Sequence, residues 1–177
     1  MNLPNKLSIA RVLCIPAIAA LLYVNDDTCR LIAGILFILA SLTDLLDGHI
    51  ARKYNLVTDF GKFIDPVADK LLVLTTLVML VRCNLMEAWV VLVILSRELA
   101  VDGLRMVAVG QGKVIAAGKL GKWKTTFQMI TITVIILLNT ACFAAWYTGV
   151  LTGVSAALTL LSGVDYFVRN KSVLAQK

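Results

Sequence analysis

The sequence predicts an all-α, polytopic membrane protein of six transmembrane helices, and three observations predict it. Of 177 residues, 59% are hydrophobic, whereas soluble domains carry about 45–50%. Only 16% are charged, and the mean hydropathy is +0.87. The apolar residues come in long runs; Leu71–Leu80 and Trp89–Leu95 contain no charge at all. Crossing the hydrocarbon core takes roughly 20 residues per helix, so this length suits six crossings with short connections. Residues 1–177 are therefore expected to form a single membrane domain.

The apolar runs give the expected spans in order. Leu7–Val24 lacks the charged leader, short apolar core and small-residue cleavage site of a removable signal, and is expected to stay as the first span. Leu31–Ile50, Lys62–Val81, Ala88–Val109, Thr125–Trp146 and Tyr147–Val168 follow. Asn25–Arg30, Arg82–Glu87 and Ala145–Gly149 are the short, poorly basic turns on one side. The other side gathers Lys6, Arg11, Arg52, Lys53, Lys62, Lys113, Lys119, Lys122, Lys124, Arg169, Lys171 and Lys177. The positive-inside rule makes that side, with both termini, cytoplasmic, as in a bacterial-type inner membrane. The one long connection, Gly110–Lys124, alternates glycine with lysine and reads as a loop whose backbone approaches an anion.

Charge and cysteine usage exclude some classes. The net charge is +6, but the basic residues are scattered between apolar runs, so anionic lipid or phosphate, and not nucleic acid, is the expected counter-charge. Cys14, Cys29, Cys83 and Cys142 are isolated and build no zinc site.

The chemistry concentrates in Thr43–Lys70. Asp44 and Asp47 lie three apart near the end of the second span; Asp65 and Asp69 lie four apart at the start of the third. Either spacing puts both acids on one helix face. An aspartate inside a membrane span costs about 2.5–3.5 kcal/mol, which divalent cations would offset. Oxygen ligands without His or Cys suit Mg²⁺ or Mn²⁺, and four carboxylates suffice for two ions. Gly48, Ala51 and Gly61 leave room for a bulky ligand, while Arg52 and Lys53 add positive charge; together these describe a pyrophosphate site. The plainer alternative pairs the aspartates with Arg52, Lys53, Lys62 and Lys70 at a solvated helix end. His49, with no second histidine, is expected to be no ligand. Asp102 and Asp165 are expected either to bond neighbouring helices or to meet substrate, and Glu98 to hold Arg97 in place. Trp89, Trp146 and Tyr147 sit near span ends as interface anchors.

The pattern Asp44-x-x-Asp47-Gly48-x-x-Ala51-Arg52, eight residues, then Gly61-x-x-x-Asp65-x-x-x-Asp69 resembles the complete signature of the CDP-alcohol phosphotransferase family. That resemblance implies a six-helix membrane enzyme, a homodimer, with a di-metal site open to the cytoplasm. It implies Asp44, Asp47, Asp65 and Asp69 at the metals, with Asp69 the general base. It also implies that Asn5, Ser8, Arg11, Thr58 and Gly61 join Asp44, Asp47, Gly48, Ala51, Arg52 and Asp65 around a CDP-diacylglycerol donor. Asn5-x-x-Ser8-x-x-Arg11 is similar to the family's Asn-x-x-Thr-x-x-Arg element, with Ser for Thr.

Phe63–Lys70, Ser96–Leu99, Gly103–Arg105 and Gly118–Thr125 resemble the members whose acceptor is sn-glycerol 3-phosphate. The implied reaction gives phosphatidylglycerophosphate and CMP, and Arg97, Arg105, Lys122 and Lys124 are the expected partners of the acceptor's phosphate. Relatives acting on inositol phosphate, serine or phosphatidylglycerol are the nearest alternative. A cation transporter is the alternative of another class, disfavoured because the acids cluster at one membrane face without an inverted repeat. A membrane prenyltransferase would need aspartate-rich motifs in two separated halves, and this chain has one.

Overall fold

A computed structural model shows an all-helical chain and describes residues 3–24, 26–53, 59–113, 115–116, 118–138 and 144–174; side chains are described outside 3–6, 45–60, 62–63, 144–145, 172 and 174. The helices are α1 (Leu3–Val24), α2 (Asp27–Lys53), α3 (Asp59–Arg82), α4 (Ala88–Gly110), α5 (Lys119–Leu138), α6 (Ala144–Arg169) and the single turn α7 (Lys171–Leu174). They form two compact units, Met1–Leu85 with Ile132–Cys142 and Met86–Thr131 with Phe143–Lys177.

In the first unit, α1 buries Ser8, Arg11, Ile15, Ile18 and Leu22. Steps of three and four place these on one stripe. α2 answers with Ala33, Phe37 and Ala40, and α3 with Ala68, Leu72, Thr76 and Leu80. α1 and α3 run parallel, because they touch at both ends in the same order. Ser8 bonds Asp65 at the start. At the far end Arg82 donates to the Tyr23 carbonyl at 3.0 Å, with its guanidinium 3.7 Å from the Tyr23 ring centroid, and the Cys83 thiol donates to the Leu22 carbonyl. α2 returns antiparallel to α1, bringing Asp44 back to Arg11. The last turn of α5 lies against α2, where Leu137 and Ile136 occupy the space beside Gly34.

In the second unit α4 and α6 are parallel, with Arg97 in the middle of α4 against Gly163 in the last third of α6. At the end of the pair Gln111 donates to the Val173 carbonyl at 3.0 Å. Val101, Leu104, Ala108, Tyr166 and Val173 form the core there, so α7 closes the end of the helix pair.

Polarity is distributed as a lipid solvent requires. Leu13, Leu39, Leu92, Met106 and Leu161 are exposed while Ser8, Arg11, Thr76, Gln128, Thr131 and Thr159 are buried, the reverse of a soluble protein. Among the described residues two helices, over Leu7–Val24 and Trp146–Arg169, are long and apolar enough to cross a membrane by length and composition.

Two expected boundaries are corrected. α5 begins at Lys119, not Thr125, and is described as far as Leu138; Ala145–Gly149, expected as a connection, belongs to the first turns of α6. Hydropathy marks the hydrocarbon, whereas helical hydrogen bonding continues into the polar zone beyond it. The hydroxyls of Thr125 and Thr126 add bonds to the carbonyls of Gly121 and Lys122. The α4–α5 connection thereby shrinks to residues 111–118, opening with Gly112 at φ +71°, the left-handed geometry that ends a helix.

A packing contrast follows. A Cβ on Gly34 would lie 2.6 Å from Leu137 Cδ2, whereas nothing lies within 4 Å of one on Gly103. Gly34→Leu is expected to lower the thermal midpoint in detergent, and Gly103→Ala to hold or raise it through the ~0.5–1 kcal/mol helix preference of alanine.

Candidate active site

Arg11 and Ser8 lie one turn apart on α1, each holding one acid of another helix. The Arg11 guanidinium donates through Nη1 to Asp44 Oδ1 at 2.6 Å; the Arg11 side chain is 0% exposed and that of Asp44 36%. The Ser8 hydroxyl donates to Asp65 Oδ1 at 2.5 Å. Residues three apart on a helix are neighbours, about 5–6 Å between Cβ atoms. One turn of α1 thus gathers a carboxylate from α2 and a carboxylate from α3. Asp69 lies one turn beyond Asp65 and is half-buried, while Gly61, one turn before it, is buried. These expected site residues therefore share one end of the first unit.

Other expectations fall elsewhere. The side chains of Asn5, Asp47, Gly48, His49, Ala51, Arg52 and Lys53 lie outside the described residues, as does the whole of Thr58. Among the described residues no three His, Cys, Asp or Glu side chains form a group able to hold a metal ion.

The second unit contains a cluster of opposite sign. Glu98 Oε1 accepts from Arg97 Nη1 at 3.2 Å and also from the Lys124 ammonium. Lys124 is 3% exposed, Arg97 12% and Glu98 22%. One carboxylate oxygen thus serves two cations. Gly163 makes room for the Arg97 stem, since a Cβ there would lie 3.1 Å from Arg97 Cγ. Arg97 Nε is buried with no hydrogen-bond partner among the described residues.

The four expected acceptor cations do not form one set. Arg105 donates through Nε to the Tyr166 hydroxyl at 3.1 Å. Lys122 is exposed. It stands two residues from Lys124, roughly 200° around the helix. Once α5 extends back to Lys119, the two lysines must point apart.

Glu98 holds Arg97 as expected, and the structure adds Lys124 to the same oxygen. Among the described residues Asp165 forms no helix-to-helix hydrogen bond; it accepts from Arg169 Nε at 2.7 Å, one turn along its own helix. Asp102 is half-buried on α4. Tyr166 was not legible as a site residue; a tyrosine near a span end reads as an interface anchor.

Outward apolar surfaces and buried polar side chains define the class, an all-helical membrane protein, with Asp44 and Asp65 gathered at one end of its first unit. The family model of CDP-alcohol phosphatidyltransferases matches residues 1–161, and the chain belongs to that family. It is similar to the CDP-diacylglycerol--glycerol-3-phosphate 3-phosphatidyltransferase of Bacillus subtilis, 44% identical over 98% of this chain and 97% of that protein. The protein of that name from Rickettsia typhi is 41% identical over 94% of this chain and 95% of its own length. CDP-diacylglycerol--glycerol-3-phosphate 3-phosphatidyltransferase 2 of Arabidopsis thaliana is 37% identical, covering 100% and 83%.

The charge cluster makes a direct prediction. Glu98→Gln takes the shared carboxylate from two largely buried cations, so it should destabilise more than Glu98→Gln combined with Lys124→Met. Thermal unfolding of the double-mutant cycle should give a coupling of about 0.5–3 kcal/mol; zero coupling would show that the pair contributes nothing.

Proposed function

We propose that this chain transfers the phosphatidyl group of CDP-diacylglycerol to sn-glycerol 3-phosphate, releasing CMP and forming phosphatidylglycerophosphate. The observation that carries the reading is the pairing of Ser8 with Asp65 and Arg11 with Asp44. One turn of α1 orients signature carboxylates from two helices, in a chain alike over nearly its whole length to proteins named for this reaction.

The donor set fits a hard divalent ion. Asp44 and Asp65 each use Oδ1 in these bonds and offer only oxygen; with Asp47 and Asp69 they are the residues to hold Mg²⁺ or Mn²⁺, as one ion or two. When bound, such an ion neutralises charge on the pyrophosphate and the departing CMP. Ser8 and Arg11 act through the carboxylates they hold. Asn5, Gly48, Ala51, Arg52, Thr58 and Gly61 surround the donor, with Arg52 gripping phosphate oxygens.

Arg97 and Lys124, held by Glu98, and Arg105, held by Tyr166, receive the phosphate of the acceptor. Asp69 takes the proton of the acceptor's C1 hydroxyl as that oxygen attacks the β-phosphorus. The bond from phosphorus to CMP then breaks. Such a transfer depends on positioning and charge neutralisation more than on covalent catalysis. In this reading the six long helices span a bacterial-type inner membrane, residues 1–177 are a single membrane domain, and the active site and both termini face the cytoplasm. The protein works as a homodimer.

The test is product analysis with the purified full chain. Labelled glycerol 3-phosphate should enter lipid in the presence of CDP-diacylglycerol, while inositol phosphate, serine and phosphatidylglycerol should not. Incorporation of one of those instead would overturn the acceptor. Excess EDTA should abolish turnover, and full activity in it would exclude the metal role. Asp69→Asn should lose turnover with little change in donor KM. Replacing Arg97 or Lys124 with alanine should raise the acceptor KM roughly ten- to a hundredfold, as expected for a charge-assisted bond of about 1.5–3 kcal/mol.

A further inference from the structure

The start of α5 carries a surface that the proposed reaction does not use. A cavity of about 440 Å³ is lined by Lys113, Gly118, Asp165, Tyr166, Arg169 and Asn170, among others. Lys113 is fixed there by the end of α4: its backbone N–H donates to the Ala108 carbonyl at 2.9 Å, just after the left-handed Gly112. Asp165, the acid in the lining, is already engaged by Arg169. Beside the cavity, the first turn of α5 exposes Lys119 and Lys122. Interleaved with them are Leu120, 41% exposed, and Trp123, 70% exposed.

The charge on this surface is unopposed. No acid occurs in the sequence between Asp102 and Asp165. Lys124 turns inward to Glu98, and Lys113, Lys119 and Lys122 form no ion pair among the described residues. The same helix becomes continuously apolar from Met129 onward apart from threonines, so its first turns lie at the level where a bilayer changes from hydrocarbon to headgroup. A soluble anion would satisfy the lysines but leave Leu120 and Trp123 without a partner. An amphiphile satisfies both.

We propose that Lys113, Lys119 and Lys122, with Leu120 and Trp123, form a docking surface for the headgroup of an anionic bilayer phospholipid. Each lysine near an anionic membrane surface contributes about 1 kcal/mol, and an indole sits well at headgroup level. Lys122 then serves the lipid surface, not the acceptor, and the enzyme's occupancy by lipid follows the anionic fraction of its membrane. The inference needs the membrane setting of α5 and is independent of the reaction proposed above.

The test reads Trp123 directly in the full chain reconstituted in vesicles, with Trp89→Phe and Trp146→Phe so that it is the single tryptophan. Brominated phosphatidylglycerol should half-quench Trp123 at a several-fold lower mole fraction than brominated phosphatidylcholine. Lys119→Gln with Lys122→Gln, or high salt, should erase that preference. Equal quenching by the two lipids would overturn the proposal. A second measurement uses the native tryptophans: phosphatidylglycerol should co-purify with the unaltered chain in excess over the lysine double variant, and equal amounts would also overturn it. The KM for glycerol 3-phosphate should stay within twofold in Lys122→Gln at fixed lipid composition, and a tenfold rise would return Lys122 to the acceptor site. Because quenching is read without substrates, its failure leaves the reaction untouched, and failure of the reaction leaves the quenching result intact.

Discussion

A charge removed from water must meet an opposite charge, and the Arg11–Asp44 pair shows how far that constraint organises the first unit. Arg11 is wholly buried on the stripe that α1 turns toward its neighbours. An unpaired guanidinium there would cost several kcal/mol. The return path of α2 must therefore bring Asp44 to it, which fixes the register of the antiparallel pair. Ser8, one turn earlier, asks the same of α3 more weakly, since a hydroxyl donating to a carboxylate is a charge-assisted bond. At the other end, Arg82 over Tyr23 prevents α3 from sliding. The carboxylates are thus set by polar contacts that apolar packing alone could not specify, because lipid-facing and core-facing residues here are equally apolar.

The second unit obeys the same constraint with a shared acid. Glu98 serves both Arg97 and Lys124 through one oxygen. Burial strengthens both contacts because the local dielectric is low. Glycine at 163 is part of the device: a side chain there would crowd the Arg97 stem as it passes along α6. Glu98 keeps the two cations from repelling one another.

Much of this was legible in the sequence. The apolar runs located every long helix, and the aspartate spacing picked out the faces of α2 and α3 from which Asp44 and Asp65 meet α1. Helix ends were less legible. Lys119–Lys124 is polar and contains glycine, so hydropathy assigned it to a loop, although a helix that leaves hydrocarbon continues as long as its backbone bonds are better made inside than with water. The fifth connection was misplaced because Ala145–Gly149 is uncharged but helical. Long-range partners were not legible at all: neither Tyr166 beside Arg105 nor Lys124 beside Glu98 has a local signal, since such pairs depend on which helices lie together and in which direction.

The boundary of α5 matters more to function than its few residues suggest. In a loop, Lys119, Lys122 and Lys124 are interchangeable cations, free to gather around one phosphate. On a helix, spacing decides their neighbours: Lys119 and Lys122 fall one turn apart on the exposed side with Leu120 and Trp123, while Lys124 falls on the buried side with Gln128 and Thr131. One short basic segment is thereby divided between an inward cation, Lys124, and two outward ones, Lys119 and Lys122. The division comes from helical periodicity, which composition and charge, read without the helix, do not show.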